Sequence, residues 1–375
     1  MTRPWIAIGL TAFAVTAGAQ GTPWQLSPAP SLTIGSLDGE LPYQLDRVAG
    51  AVRLVDGTII VGNSGSSELR YFDAKGKSIR AAGRRGAGPG EFGQFASIRP
   101  IVTGGSLIAQ NAESQRVNVF SLSGQFVRQF RFAPEPSAQL VSLVSADETG
   151  IVGRSLRDAA LRGAPSDVLE AKYQYATFDS LGGQRSLLFE LPGRRRLVHA
   201  YQGVTHYPFI PHTVDPVVTA AGGRVFVVRS DSAQVEIWTN DGRRLATYKW
   251  PAQRTRVRDI WARSKAADLA AMTQERDKVL YAHFYEMALP LPEYLPVANQ
   301  LQLDPAGNIW IERYRLRWET ERRWDVLEKA GRFLGTVVTP GGLDVYQIGA
   351  DFVLGRARDS DGVEQVQLWQ MARRP

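Results

Sequence analysis

The chain has 375 residues, of which 44% are apolar and 22% are charged, with 36 glycines and 21 prolines. This balance excludes a wholly disordered chain, and the absence of cysteine excludes disulfides, thiolate metal sites and a lipid-modified cysteine. The net charge is +7, and the positive charge is mostly arginine. Arginines form clusters such as Arg84-Arg85, Arg194-Arg195-Arg196 and Arg322-Arg323, and Asp and Glu residues are spread between these clusters. This distribution favours a solvated basic surface, and we expect no nucleic-acid partner.

The first residues have the pattern of an export signal. Arg3 precedes the apolar stretch 6–15, and Ala17-Gly18-Ala19 then places small residues where a signal peptidase cleaves. We predict a signal peptide over residues 1–19 and a mature domain over residues 20–375, located in the periplasm or outside the cell. The alternative is an N-terminal membrane anchor, for which this stretch is short. No later stretch is apolar enough to span a bilayer.

A repeat then runs along the chain. Each copy has an apolar strand that ends in an aromatic residue or leucine, then three residues, a glycine and a second strand. The five copies end their first strands at Phe72, Phe120, Phe178, Trp238 and Leu327. Alternating apolar positions bury one strand face, and Asp, Asn, Ser and Gly permit the positive φ of a tight turn. Each copy is therefore predicted to be a β-hairpin.

A second strand-turn-strand pattern precedes the hairpins, as in the apolar run 58–61. Each complete unit then has four short antiparallel strands, which is the composition of one propeller blade. A blade needs about 40–50 residues. The last interval between copies is much longer than this, so an additional element is expected before the fifth hairpin.

That element has helical spacing and strong helix formers over 258–286, and Pro290, Pro292 and Pro296 follow it. We predict a helical insertion over about 254–296, between blades 4 and 5, as one helix or as two. A helix that covers a blade edge is favoured, because edge strands need protection. The alternative is a lid that serves function or docks a partner.

The last blade is split between the two ends of the chain. Residues 363–369 repeat the third-strand pattern, and no outer strand follows them, whereas 31–35 match the outer strand and glycine that precede other blades. The N-terminal strand is predicted to complete this blade and close the ring. The predicted fold is all-β, a six-bladed β-propeller of four-stranded antiparallel blades.

One motif carries a family resemblance. Residues 83–92 (GRRGAGPGEF) match the G-x-x-G-x-G-P-G-E-F pattern that joins blades in NHL-type propellers, with a weaker copy at 35–41. The chain resembles the bacterial exported six-bladed β-propeller proteins related to them. The motif has an architectural role, in which the glycines turn the backbone and Phe92 fills the gap between sheets. The resemblance implies a binding platform, because NHL-type propellers mostly serve in that way.

The channel mouth is the place where such a fold offers a binding site, since the first strand of every blade begins there. The candidate ligand-binding residues are polar side chains at the starts of these strands: Asp46, Arg47, Arg99, His212, Asp215, Asn299, Asp344 and Tyr346. Ser97, Ser142 and Gln300 occupy equivalent positions. Some related propellers, of the gluconolactonase type, hold a divalent metal with channel carboxylates and asparagines. By that resemblance, Asp46, Asp215, Asn299 and Asp344 offer oxygen ligands for calcium.

Other catalytic patterns are missing from the sequence. The four histidines, His199, His206, His212 and His283, do not have the spacing of a zinc site. There is no Gly-x-Ser-x-Gly elbow, and the glycines of 86–90 precede a strand, so they do not form a dinucleotide fingerprint. Trp310, Tyr314, Trp318 and Trp324 are predicted to belong to blade cores, with sugar stacking as the alternative.

These observations favour an exported, non-enzymatic binding or scaffold propeller that recognises a peptide, glycan or small molecule at the channel mouth. We expect a monomer and no cofactor other than calcium. The alternative is a metal-dependent lactonase or esterase of the gluconolactonase type.

Overall fold

The computed structural model describes residues 24–93, 97–111, 115–134, 139–157, 164–229 and 231–373. The predicted signal peptide, residues 1–19, lies outside these ranges. The first described elements are two short strands, β1 (Trp24–Leu26) and β2 (Leu32–Ile34), and a single 3-10 turn at Leu41–Tyr43.

The described residues then form six antiparallel sheets of four or five strands in chain order, together with one two-stranded sheet. The first two sheets contain β3 (Val48–Arg53), β4 (Ile59–Asn63), β5 (Glu68–Phe72) and β6 (Ser78–Ala82), then β7 (Ile101–Thr103), β8 (Ser106–Asn111), β9 (Arg116–Ser121) and β10 (Phe126–Arg131). The third contains β11 (Gln139–Asp147), β12 (Gly150–Arg157), β13 (Val168–Phe178) and β14 (Gln184–Leu197), and a hairpin of β15 (His199–Tyr201) and β16 (Val204–His206) follows it.

The second half of the chain begins with the fourth sheet, β17 (Val217–Ala221), β18 (Arg224–Val228), β19 (Gln234–Thr239) and β20 (Arg244–Lys249). Two helices follow, α1 (Val257–Ala270) and α2 (Glu275–Tyr285). The last two sheets contain β21 (Ala298–Leu303), β22 (Ile309–Arg313), β23 (Glu321–Leu327) and β24 (Phe333–Pro340), then β25 (Asp344–Ile348), β26 (Phe352–Arg358) and β27 (Glu364–Arg373). The predicted six-bladed propeller is therefore confirmed.

The five hairpin turns have the backbone that the repeat predicted. The glycine of every copy has a positive φ, between 80° at Gly76 and 90° at Gly331, which a side chain would oppose. In the first copy Asp73 Oδ1 accepts hydrogen bonds from the backbone N–H groups of Lys75 and Lys77, both at 2.9 Å. The Asp-to-Gly segment therefore closes the turn by itself, and the hairpin register follows from local sequence.

The core lies between adjacent blades. Large side chains from neighbouring sheets meet there, as Tyr71 of blade 1 and Phe120 of blade 2 do around Phe92. Phe92 is fully buried, and its ring centroid is 6.1 Å from that of Phe120. The predicted architectural role of the 83–92 motif is thus confirmed, since Phe92 fills the space between two blades.

The N-terminal strands close the ring. β2 pairs with β27 in the register Leu32 to Leu368 and Ile34 to Val366, so the sixth blade receives its fourth strand from the other end of the chain. β1 extends the same edge, because Trp24 pairs with Arg373 at the end of β27. The closing role of 31–35 was predicted, whereas β1 was not.

The insertion forms two helices, which lie within the predicted insertion of about 254–296 and are joined at residues 271–274. Their apolar cluster contains Phe284 and Tyr285 from α2, together with Leu197 at the end of β14 and Ile210 in the following loop. Ser264 of α1 also contacts His212. The helices therefore pack against the loops beside the start of β17. No helix in the described ranges has the length and apolarity needed to cross a membrane.

Candidate functional site

The innermost strands of all six blades surround a central channel. Its cavity measures about 650 Å³ and is lined by residues of β3, β7, β11, β17, β21 and β25. Much of the wall is aliphatic, as in 217–221 of β17. The charged groups on this wall are Arg99, Arg322 and Asp344.

A second cavity, which we call the mouth pocket, lies between blades 2 and 5 and measures about 490 Å³. It shares Arg99 with the channel cavity, so the two spaces meet at this side chain. The polar and charged side chains that line it are Arg99, Ser142, Arg154, Tyr175, Arg194, His212, Thr213, Asp215, Asn299 and Tyr314. Four predicted site residues (Arg99, His212, Asp215 and Asn299) are therefore brought together here.

Arg99 precedes β7 and projects into the space where the two cavities meet. Its stem packs on Gly50, where an added Cβ would lie 3.1 Å from Arg99 Cγ. The guanidinium is open to channel solvent and yet enclosed by protein, so burial lowers the pKa of Arg99 from its ordinary value; an arginine nevertheless stays protonated. Its one hydrogen bond among the described residues is long, 3.5 Å from Nη1 to the carbonyl oxygen of Val144.

Asp215 is the carboxylate of the mouth pocket. Its Oδ1 accepts the backbone N–H of Arg194 at 2.9 Å, and its Oδ2 accepts the Tyr173 hydroxyl at 3.3 Å and Arg154 Nη1 at 3.5 Å. Gly193 makes room for this group, because a Cβ there would lie 2.3 Å from the Tyr173 ring and 3.0 Å from Asp215 Oδ1. Asp215 is thus held in place by strands β12, β13 and β14.

His212 connects the mouth pocket to the insertion. Its Nδ1 lies 3.1 Å from the Tyr314 hydroxyl, and its Nε2 lies 2.9 Å from Ser264 Oγ of α1. The His212 backbone has a φ of 58°, a left-handed conformation that is uncommon outside glycine. Burial lowers the pKa of His212, so the imidazole is neutral at neutral pH. Burial also raises the pKa of Tyr314 to about 12.

Asp344 and Tyr346 lie on the channel wall of blade 6. Asp344 pairs with both Arg322 and Arg356, and Arg322 also pairs with the buried Glu312 at 2.8 Å. The Tyr346 hydroxyl donates to the carbonyl oxygen of Val48 at 2.7 Å, and burial raises the pKa of Tyr346 to about 12. These two residues therefore tie blade 6 to its neighbours and border the channel.

Asp46 and Arg47 do not line either cavity. Asp46 lies beside the β4–β5 loop, where its backbone N–H donates to Asn63 at 2.7 Å. Arg47, with a φ of 51°, donates from Nη2 to the carbonyl oxygen of Ser64 at 3.1 Å. These two predicted site residues therefore lie on the rim of blade 1, apart from the mouth pocket.

The predicted calcium ligands are not gathered in one place. Among the described residues, no group of three or more His, Asp or Glu side chains is positioned to hold a metal ion. Asp215 and Asn299 border the mouth pocket, Asp344 borders the channel and is engaged by two arginines, and Asp46 lies on the rim. These residues do not fit one calcium shell.

The chain is similar to several solved structures at low identity. An exported protein from Bacteroides fragilis is 12% identical, with coverage of 96% of this chain and 98% of that one and a TM-score of 0.49. A member of the DUF4221 family from Bacteroides vulgatus is 10% identical (94% and 99%, TM-score 0.48). A virginiamycin B lyase from Staphylococcus aureus is 9% identical (93% and 99%, TM-score 0.42). No curated protein matches the chain.

A family model matches one part of the chain. Residues 47–146 match the family described as "6-bladed beta-propeller". The chain is a six-bladed β-propeller. The matched segment covers blades 1 and 2 and most of β11, and the six sheets show that the same architecture continues through the rest of the described residues. The predicted resemblance to bacterial six-bladed propellers is confirmed at this level.

Sequence reasoning did not place five polar residues in the mouth pocket: Arg154, Tyr175, Arg194, Thr213 and Tyr314. They lie on β12, β13 and β14 and in the segments before β17 and after β22, whereas the predicted site residues came from the first strand of each blade. Tyr314 was predicted to belong to a blade core and instead lines the mouth pocket. Arg194 was assigned to a solvated basic cluster. That prediction is wrong for 194–196, where all three side chains are half-buried, and for Arg322, whose side chain is 11% exposed. The sequence feature that could have indicated this part of the pocket is the stretch 192–216, which contains glycines, prolines and histidines.

A separate histidine cluster joins the β15–β16 hairpin to α2. His199 is 2% exposed, its Nε2 lies 3.3 Å from His283 Nδ1, and the His206 ring is 6.5 Å away. The rings of Tyr201 and Phe284 also pack beside the His199 ring. Burial, followed by repulsion from His283 and His206, lowers the pKa of His199.

Buried histidines in this cluster and in the mouth pocket predict that the protein loses stability in mild acid. The pKa of His199 and that of His212 are both lowered in the folded state, so the unfolded chain binds more protons below about pH 6.5. These two groups should leave the free energy of unfolding nearly unchanged above that pH and lower it as the pH drops below about 6.5. Urea unfolding at several pH values measures it. His199→Gln should flatten the slope and the exposed Lys75→Gln should leave it unchanged; equal slopes in all three proteins would refute the prediction.

Proposed function

We propose that this chain is an exported, non-enzymatic binding propeller that holds a peptide, glycan or small molecule in the mouth pocket. The observation that supports the proposal is the convergence of hydrogen-bonding side chains from four blades on one solvent-open cavity of about 490 Å³. Ligand sites are typically concave, with a few fixed polar groups among apolar walls. The exported location is proposed from the signal-peptide pattern of residues 1–19.

The pocket is prepared for binding by its own supporting contacts. Asp215 is fixed by three donors, and His212 is held between Tyr314 and Ser264. Groups whose geometry is fixed before binding lose less conformational entropy when a ligand arrives. Loops that a rigid scaffold positions are common locations for binding residues.

The proposal is tested by blocking the pocket. A library of fragments, sugars and short peptides is screened by ligand-observed NMR against wild type and against Ser142→Trp, which places a large ring in the mouth pocket. Gln125→Trp, an exposed position in the β9–β10 turn, is the matched control. We expect ligands that bind wild type and the control and lose at least about tenfold in affinity with Ser142→Trp. Ligands that bind all three proteins equally would overturn the assignment of the site.

Turnover separates this proposal from the gluconolactonase-type alternative. The mature chain is melted in EDTA and after calcium re-addition, and lactones and aryl esters are offered as substrates. We expect the same midpoint in both conditions and no hydrolysis. A calcium-dependent rise in the midpoint means that the native state binds the ion; together with lactone hydrolysis, it would replace the binding proposal with the metal-dependent hydrolase.

A further inference from the structure

The mouth pocket has an excess of positive charge that its own carboxylate does not balance. Arg99, Arg154 and Arg194 line it, and Asp215 is its acidic residue. His212 adds no charge at neutral pH, since burial lowers its pKa. Three guanidinium groups thus face one carboxylate, which leaves about two positive charges in a cavity with protein walls, where charge attracts counter-ions strongly.

Arg99 and Arg194 each have guanidinium N–H groups without a hydrogen-bond partner among the described residues. No carboxylate of the described residues lies within 4.0 Å of either guanidinium. Arg194 stacks on the Phe209 ring at 3.8 Å and donates from Nε to the Thr213 carbonyl oxygen at 3.1 Å, and its two Nη atoms have no hydrogen-bond partner among the described residues. Arg99 makes the single long bond to Val144.

Arg322 on the channel wall and Arg356 next to it in blade 6 are both paired with carboxylates. Arg322 pairs with Glu312 and Asp344, and Arg356 pairs with Asp344 and Glu364. An arginine that is enclosed for structural reasons is normally paired in this way, because removing the charge from water is costly. Arg99 differs from Arg322 and Arg356 because it is exposed to the channel solvent and has no carboxylate partner among the described residues. Its guanidinium is therefore free to bind a carboxylate that a ligand supplies.

We propose, resting on the binding function proposed above, that the ligand is a small organic anion whose carboxylate is bound by Arg99, with Arg194 as the second donor. The planar guanidinium fork matches a carboxylate in a bidentate arrangement. Asp215 in the same pocket disfavours a doubly charged phosphate and so favours a monoanion. Ser142 and Asn299 are available for the neutral part of the ligand.

The proposal is tested with carboxylates and their neutral counterparts at constant ionic strength. The probes are the monoanions acetate, lactate and D-galacturonate, paired with acetamide, lactamide and D-galactose, and inorganic phosphate is added as a separate arm. Binding is measured by calorimetry and by thermal shift on the mature chain. The variants are Arg99→Gln and Arg99→Lys, and Arg276→Gln is the control, because its side chain is 90% exposed on α2.

We expect at least one carboxylate to bind wild type and the Arg276→Gln control while its neutral counterpart does not. Arg99→Gln should weaken that binding about tenfold or more, and Arg99→Lys should restore a part of it. Equal binding of the acid and its neutral counterpart, tighter binding of phosphate than of every carboxylate, or full binding by Arg99→Gln would each overturn the proposal. One further outcome separates this inference from the proposed function. A neutral ligand that binds wild type and Arg99→Gln equally well but binds Ser142→Trp weakly would overturn this inference and leave the binding function intact.

Discussion

Replacement of Asp325 by alanine is expected to lower the free energy of unfolding by about 3–5 kcal/mol. Asp325 lies on β23, is fully buried, and accepts four hydrogen bonds. Two come from Arg313, at 2.9 and 2.7 Å; Trp250 Nε1 donates at 3.1 Å and the Thr336 hydroxyl at 2.8 Å. Alanine would leave the Arg313 charge unpaired in a half-buried position, and removal of one member of such a pair is strongly destabilising.

The effect should extend across a blade boundary. Trp250 follows the outer strand of blade 4 and is buried in the apolar cluster shared with blade 5, and its indole nitrogen binds Asp325. Asp325→Ala therefore loosens the contact between two blades as well as the interior of one. Urea unfolding followed by tryptophan fluorescence measures the loss.

The matched control is Glu321→Ala in the same strand. The Glu321 carboxylate is 52% exposed and pairs with Arg323 at 3.3 Å, and exposed pairs contribute about 0–1 kcal/mol. The Glu321→Ala variant should unfold at nearly the wild-type urea concentration. A loss of less than about 1 kcal/mol in Asp325→Ala would show that the four hydrogen bonds do not stabilise the blade as described.

Removal of β1 and β2 is expected to open the ring and to cost more than about 5 kcal/mol, since Trp24 and Ile34 are each worth several kcal/mol as buried side chains. Trp24 is 4% exposed and its ring lies 5.1 Å from that of Trp310, while Ile34 is 1% exposed in the cluster between blades 6 and 1. Without these strands β27 becomes an unprotected edge, which favours aggregation.

The comparison uses two truncated chains. A chain that starts at Gln20 keeps both strands and should unfold in one cooperative transition. A chain that starts at Gly35 should elute from size-exclusion chromatography as an aggregate or unfold at a much lower temperature. A Gly35 chain that is monomeric and melts within a few degrees of the longer one would show that closure by β2 is not what holds the ring together.

The blade repeat and the closure were predictable from sequence because they depend on local chemistry. Gly76 and its counterparts follow a strand at a constant distance. In four of the five turns an Asp, Ser or Thr at the start closes the turn through its own side chain, as Asp73 and Asp179 do. Alternation of apolar residues sets which face of each strand is buried. The helices were visible from composition and from the prolines that follow them.

The candidate site was predictable in part. Arg99, His212, Asp215 and Asn299 were found because the innermost strand of each blade must begin near the channel mouth. Asp46 and Arg47 occupy an equivalent sequence position, yet they contact the β4–β5 loop. A shift of one or two residues before a strand changes which way a side chain points, and the sequence pattern does not specify strand starts that closely.

The sequence by itself thus determined the number of blades, the hairpins, the closing strand and the inserted helices, because each is encoded in turn residues and strand periodicity over a short stretch. Only the tertiary structure decided that Arg154 and Arg194 enter the mouth pocket, that β1 seals the ring beside β2, and that Arg99 lacks a carboxylate partner among the described residues while Arg322 has two. The physical reason is that charge balance inside a closed ring depends on side chains from several blades that meet at one axis. Their separation along the chain carries no information about which of them will pair.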